Sequence, residues 1–198
     1  MHRFICGVLM MTMILGTATA SELTAQKLPQ PVITGGKPLM EVIASRKTER
    51  TYSEKTIDEQ TLSEILWSAW GISHDDKRTI PTSRNKQDLK VYALKSDGVW
   101  LYNAQKNILE LVSNKDIRKL FATQDFVDTA PLTLLYTGSD SKNSPMHAGS
   151  AYQNVGLYCA SKGLNNVVRG YFDYEQVQKE LNLPEDEKVI ISQTIGWE

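Results

Sequence analysis

The sequence predicts an α+β domain on two observations. Helical and strand periodicities are interleaved along the chain, and three alternating segments are joined by connections suited to antiparallel pairing. One sheet flanked by helices is the expected arrangement. Residues 38–43, Pro-Leu-Met-Glu-Val-Ile, suit a short helix with proline in its first turn. Asp58 to Trp70 is the clearest helix: Leu62, Ile65, Leu66 and Ala69 recur at the i, i+3, i+4, i+7 spacing, and Gly71 ends it. Leu89 to Leu94 alternates, Asp97-Gly98 makes a turn, Val99 to Tyr102 alternates again, and Ile108 to Val112 completes a three-stranded meander. Asn114 to Phe121 reads as helix, and Leu132 to Thr137 as a continuous apolar strand. Met146 to Lys162 is a long helix that turns Ala151, Val155, Tyr158 and Cys159 inward and stops at Gly163. Val167 to Phe172 reads as a strand. Asp173 and Gln176 cap a last helix that ends near Leu183-Pro184, and Lys188 to Ile195 closes the chain as a strand.

Composition bounds the function before any motif is considered. With 198 residues, the chain fits one domain of ordinary size with a real core. The 22 Lys+Arg against 23 Asp+Glu leave no excess of positive charge to neutralise a nucleic-acid backbone. At 41% hydrophobic and 23% charged residues, collagen, coiled coil and bulk disorder are excluded. Two cysteines can build neither a disulfide scaffold nor a zinc site made wholly of thiolates.

The first twenty residues read as an address. Met1-His2-Arg3 is a short positive start, Phe4 to Leu15 is nearly all apolar, and Ala18-Thr19-Ala20 is a small-x-small site before Ser21. The apolar stretch is short for a bilayer span, and Cys6 lies too early to be a lipoprotein cysteine. Cleavage is expected after Ala20, which leaves Cys159 as the one thiol and permits no internal disulfide. The expected organisation is a signal peptide at 1–20, an extended arm at 21–37 marked by Pro29, Pro31, Gly35 and Gly36, and a single domain at 38–198. The mature protein is expected to be exported without a membrane anchor, to the periplasm in a bacterium with two membranes.

Standard catalytic patterns are missing. The sequence holds no Gly-x-Gly-x-x-Gly dinucleotide turn, no Gly-Lys-Ser/Thr phosphate loop and no Gly-x-Ser-x-Gly elbow. His74 and His147 show no metal-ligand spacing; His147 opens a helix and is expected at the surface. Cys159, on an inward helix face, is expected in the core rather than as a nucleophile.

Three segments stand out instead. Arg46, Lys47 and Arg50, with Thr48 between them and Tyr52 beyond, put three cations and a hydroxyl within five positions where a short helix runs into a loop. Guanidinium groups converging there can hold a phosphate dianion bidentately, with the ammonium as a point charge; a solvated, positively charged helix end is the other reading of the same residues. Thr79 to Gln87, which includes Pro81, Thr82, Ser83, Asn85 and Gln87, is rich in short hydroxyl and amide side chains able to meet a polar heterocycle. It reads equally as an ordinary polar connection. Gly163 to Gly170 links the long helix to a strand and ends in Arg169-Gly170.

Taken in order, these segments resemble the FMN-dependent nitroreductase superfamily. They are most similar to the branch that includes thiazole/oxazole-forming peptide dehydrogenases and their small exported relatives. Leu28-Pro29-x-Pro31 through Gly35-Gly36-Lys37-Pro38, then Arg46-x-Thr48-x-Arg50-x-Tyr52, resemble that branch's start. Leu62-x-x-Ile65-Leu66-Trp67-x-Ala69-x-Gly71 is similar to its first long helix, and Arg78-Thr79-x-Pro81-Thr82-x-x-Asn85-x-Gln87 to the loop that reaches the flavin, usually that of the partner subunit. Ala148-Gly149, Gln153-Asn154 and Arg169-Gly170 resemble the central helix and the loop beside the ring. The likeness spans about residues 28 to 196.

The resemblance implies a mostly antiparallel central sheet flanked by helices, and a homodimer with FMN at the interface. It implies no catalytic side chain, because a flavin carries the chemistry itself, and no metal. Arg46, Lys47 and Arg50 are then expected at the phosphate. Thr48, Thr82, Ser83, Asn85 and Gln87, with Pro81 in the same loop, are expected at the ribityl chain or ring edges, and Arg169 and Gly170 beside the reactive face. The expected reaction moves electrons from a donor such as NAD(P)H to a nitroaromatic, quinone or similar small acceptor. The alternative is a dimeric interaction protein on the same scaffold, with or without flavin and without turnover. Two departures from the family pattern stand out: Asn165-Asn166 where Gly-Thr is usual, and Gly196-Trp197-Glu198 where many relatives carry a further basic residue.

Overall fold

The computed structural model describes residues 24–198, so the proposed signal peptide lies outside the described residues. Among the described residues, nine strands and five α-helices follow in the order β1 (Ala25–Lys27), α1 (Leu39–Ser45), α2 (Glu59–Trp70), β2 (Ile72–His74), β3 (Lys77–Arg78), β4 (Leu89–Lys95), β5 (Gly98–Asn103), β6 (Ile108–Ser113), α3 (Phe126–Thr129), β7 (Leu132–Gly138), α4 (Ser144–Lys162), β8 (Leu164–Arg169), α5 (Tyr174–Glu180) and β9 (Lys188–Trp197). Seven strands form one sheet in the order β1-β6-β5-β4-β7-β9-β8, with every neighbouring pair antiparallel. The α+β expectation and the meander are met.

Period-two alternation sorts the central strands onto two faces. Val91 and Ala93 of β4, with Leu134 and Tyr136 of β7, point toward α2 and α4, where Ile65, Leu66, Ala151 and Val155 are fully buried. Tyr92, Leu94 and Leu135 point to the opposite face and pack with Phe121, Phe172 and Val177. Register follows, since Val91 sits opposite Tyr136 and Tyr92 opposite Leu135. Strand β7 is buried on both faces, which is why its sequence is apolar without alternation. Complete burial of a Leu or Ile side chain contributes roughly 1.5–3 kcal/mol, so this two-sided core fixes β4 and β7 as the platform of the molecule.

Helix ends follow their caps. Asp58 accepts from the Thr61 N–H at 2.8 Å at the start of α2, and Asp173 accepts from the Gln176 N–H at 3.0 Å at the start of α5. Gly163 ends α4 in the left-handed region at φ 77°, and β8 leaves directly from it. The strand predicted over 167–172 therefore runs over Leu164–Arg169, held by pairing from Leu164 opposite Trp197 to Arg169 opposite Ser192. The helix predicted over 114–121 is a single 3-10 turn at Arg118–Phe121, because Asp116 accepts from the Arg118 backbone and guanidinium and closes the chain tightly. The described part of the arm, residues 24–37, adds edge strand β1 to β6 and buries Leu28. It is then tied down at the Pro29 carbonyl, which accepts from Asn107 Nδ2 at 2.8 Å and Ser63 Oγ at 2.5 Å. Among the described residues no helix is long and apolar enough to cross a membrane.

Candidate functional site

Helix α1 ends where Arg46 donates its N–H to the Val42 carbonyl at 2.9 Å. The chain then runs extended along β8, which lies at the edge of the sheet. Glu49 N–H donates to the Asn166 carbonyl at 3.1 Å, Asn165 Nδ2 donates to the Thr51 carbonyl at 2.8 Å, and Ser53 N–H donates to the Trp197 carbonyl at 2.9 Å. Asn166 is itself oriented by Gln193, whose Nε2 donates to its Oδ1 at 3.0 Å. The pair Asn165-Asn166, a departure from the family pattern, thus docks the cation-bearing segment.

The charges of this segment are unevenly spent. Exposed Lys47 pairs with Glu49, whose hydrogen bond and charge raise the Lys47 pKa. Among the described residues no carboxylate lies within ion-pair distance of Arg46, Arg50 or Arg169. Arg46 lies over Gly156 of α4: a Cβ built on that glycine would sit 3.6 Å from Arg46 Cδ and 3.6 Å from Asn166 Oδ1. Burial, with the charge of Arg50 acting in the same direction, lowers the Arg169 pKa. Tyr52 feels both guanidiniums, yet burial dominates and raises its pKa. Arg50 and Arg169 are close enough to disfavour each other's charge, and an anion beside them would relieve that.

Arg169 reaches this patch from the inside. Its guanidinium donates to the Phe121 carbonyl at 2.6 Å, Thr123 Oγ1 at 2.8 Å and Gln124 Oε1 at 3.2 Å, and it lies over the Phe126 ring. It pins the 121–126 segment and lends charge from below; Gly170 beside it is exposed.

The hydroxyl-rich loop lies at the other end of α4. Arg84, Asn85 and Gln87 all adopt left-handed φ angles of 49–54°, a costly choice for residues with a Cβ. Their side chains and neighbours hold the shape. Gln87 Nε2 donates to the Asp76 carbonyl at 2.7 Å, Arg78 Nε donates to Gln87 Oε1 at 2.7 Å, and Asn85 Nδ2 donates to Asp76 Oδ2 at 3.2 Å. Asn85 and Gln87 are thereby committed to the β2–β3 turn, with Asn85 lining a cavity there together with half-buried Thr82 and exposed Pro81. That cavity measures about 470 Å³ and is lined by His74, Arg78, Thr79, Pro81, Thr82 and Asn85. A smaller one of about 130 Å³ lies beside Lys47, Glu49, Asn165 and Asn166. The two share no residue. Along α4, His147, which meets the Ser83 N–H, and Gly156, which Arg46 lies over, are nine residues apart, roughly 13–14 Å along the axis.

One expectation is overturned. His147, expected at the surface, is only 5% exposed. Its Nδ1 faces Asp88 Oδ1 at 2.7 Å, and its Nε2 accepts from the Ser83 N–H at 2.9 Å. The helix begins two residues earlier than its periodicity suggests, at Ser144, so His147 falls in the first turn against β4 instead of capping the end. The one signal pointing to it is Asp88, a carboxylate just ahead of an apolar strand. Cys159 is fully buried, which raises its thiol pKa and keeps it inert, as its helix position implied.

Comparison with known proteins gives this fold its class. Residues 43–197 match the nitroreductase family, and the chain belongs to it. A candidate nitroreductase of Ralstonia eutropha JMP134, known from a crystal structure, is 34% identical with a TM-score of 0.82, covering 88% of this chain and 89% of that one. A candidate nitroreductase of Methanocaldococcus jannaschii is 23% identical over 169 residues, 74% of this chain and 85% of its own length. The crystal structure of a candidate NADH dehydrogenase/NAD(P)H nitroreductase of Parabacteroides distasonis shares the fold at 17% identity, with a TM-score of 0.59, over 80% of this chain and 86% of that one. The protein is an oxidoreductase with the nitroreductase fold.

Proposed function

We propose that the chain is an exported, FMN-dependent homodimer of the thiazole/oxazole-dehydrogenase-like branch. It takes electrons from a reduced donor such as NAD(P)H and passes them to a nitroaromatic, quinone or similar small acceptor. The observation that carries this reading is the pair of guanidiniums Arg46 and Arg50, left without carboxylates beside β8, with the charge of Arg50 acting on Arg169 nearby. A donor set of that kind fits a phosphate monoester. Arg46 and Arg50 would hold the phosphate, with Lys47 adding charge and Thr48 a hydroxyl. Thr82 and Ser83, in a loop preset by Asn85 and Gln87, would hold ribityl or ring edges, and Gly170, exposed beside Arg169, lets the Tyr174 hydroxyl approach its Cα closely. FMN, when bound, accepts a hydride and releases electrons to the acceptor.

The dimer is supported by an apolar surface. Val32, Ile33, Leu39, Met40 and Ile43 are all exposed on the arm and α1, next to α4. Such a patch is costly to leave in water and suits a second copy. The cation segment and the hydroxyl loop line separate cavities within one chain, so a dimer that sets one protomer's cations against its partner's loop would enclose the cofactor between them. Export rests on the pattern of residues 1–20.

The test is direct. Purified protein is expected to show flavin absorbance, to release FMN on heating, and to oxidise NADH or NADPH in the presence of a quinone or nitroaromatic. Arg46→Ala and Arg50→Ala are each expected to cost about 1.5–3 kcal/mol of FMN binding, about ten- to a hundred-fold in Kd. Protein that stays colourless and takes up no added FMN overturns the reading.

A further inference from the structure

We propose that Asp88 and His147 form a buried latch that sets the backbone of the 82–87 loop, and that the loop's grip on the cofactor depends on it. The inference rests on the FMN reading for its consequence, and on the loop's own geometry for the latch itself. The chain of contacts is complete. Ser144 Oγ donates to Asp88 Oδ2, His147 Nδ1 meets Asp88 Oδ1 at 2.7 Å, and Ser83 N–H donates to His147 Nε2 at 2.9 Å. The Asp88 and His147 side chains are each only 6% exposed.

Two consequences follow from these directions. Nε2 faces an N–H, so it must carry a lone pair; Nδ1 faces a carboxylate, so it must carry the proton. His147 is therefore neutral and in the Nδ1–H form, with its two nitrogens joining a fixed acid to a loop amide. The loop needs such a holder. Three of its residues, Arg84, Asn85 and Gln87, sit in the left-handed region, which persists only where the surroundings impose it. The loop is pinned at Ser83 by His147 and at Lys86 by Asp140, 3.1 Å away, and Asp88 closes it at the start of β4. Of these contacts, the histidine alone holds a backbone amide, that of the Thr82–Ser83 peptide, directly after a residue that lines the cavity. His147 and Asp88 are positioning residues here, since neither lines that cavity.

Three variants test this: His147→Leu, which removes both functions; His147→Gln, which keeps one donor and one acceptor; and Asp88→Asn, which removes the charge that orients the ring. In the protein before any FMN is added, 15N NMR of the imidazole is expected to show a protonated Nδ1 and a bare Nε2 for His147. The Ser83 amide is expected to exchange with solvent at least ten-fold faster in His147→Leu and near the wild-type rate in His147→Gln. FMN binding is expected to weaken roughly ten-fold in His147→Leu and to recover in His147→Gln, while thermal melting of the glutamine variant matches wild type. If His147→Leu does not fold, Asp88→Asn is read in its place, with the same direction expected for Ser83 exchange and FMN affinity. A protonated Nε2, or Ser83 exchange that neither variant changes, overturns the latch. Faster Ser83 exchange with unchanged FMN affinity overturns the link to the cofactor. If wild-type protein takes up no FMN, the proposed function fails, and the latch stands or falls on the exchange and NMR results alone.

Discussion

Glu187 shows how a buried carboxylate is held in this protein. The side chain is 5% exposed, yet it pairs with Lys90, accepts from Thr137 Oγ1 at 2.6 Å and from Tyr92 OH at 2.9 Å. Burial pushes its pKa up, and the three donors together outweigh burial, so the net shift is downward. A lowered folded-state pKa means that Glu187 stabilises the fold fully above the ordinary glutamate value, about 4.3. That stabilisation is lost as pH falls through the lower, folded value. Glu187→Gln is therefore expected to melt at a lower temperature than wild type near neutral pH and to lose less stability on acidification below about pH 4.3. Thermal melts between pH 7 and 3 check this; parallel pH dependence in the two proteins contradicts it. Glu64 is another such clamp, accepting from Tyr158 OH at 2.7 Å and Gln60 Nε2 at 2.9 Å and pairing with Lys162 at 3.0 Å. It ties α2 to the end of α4.

At the scale of elements, the local signals were mostly sufficient. Asp58 was legible as a cap because its carboxylate satisfies an otherwise unpaired N–H at the start of α2. Asp58→Ala is expected to cost about 1 kcal/mol, seen as a lower urea midpoint with an unchanged slope. The meander was legible because Asp97-Gly98 is a turn sequence between alternating segments, and Gly98 does take a left-handed φ of 137°. Two elements were not legible because contacts that side-chain period does not report settled their geometry. Asp116 tightens 118–121 into a 3-10 turn, and pairing with β9 draws β8 back to Leu164. His147 belongs to the same class. Its burial depends on Asp88, 59 residues earlier, and on the sheet that brings them together.

At the scale of the whole molecule, the exposed apolar residues of α1 and the arm have the most to say. Leu39 is 63% and Met40 74% exposed, and Ile43 lies one turn further on. In the dimer proposed above, this face is covered by a second copy. Ile43→Glu is then expected to shift the protein from dimer to monomer in sedimentation velocity and to lose FMN with it, because the cofactor is shared between protomers. A wild-type protein that sediments as a monomer contradicts the arrangement.

The sequence by itself determined the fold class, the course of most helices and strands, and the order of the segments that mark the nitroreductase family. Those properties live in short-range patterns, namely side-chain period, caps and turn residues, which a linear chain displays. Only the tertiary structure decided which cations remain without a carboxylate, that Asn165 and Asn166 dock the Arg46–Tyr52 segment, and that His147 is buried as the holder of a strained loop. Pairing and burial depend on which distant residues the sheet brings within 3 Å. Electrostatic and hydrogen-bond energies change steeply over that range, and sequence order does not encode it.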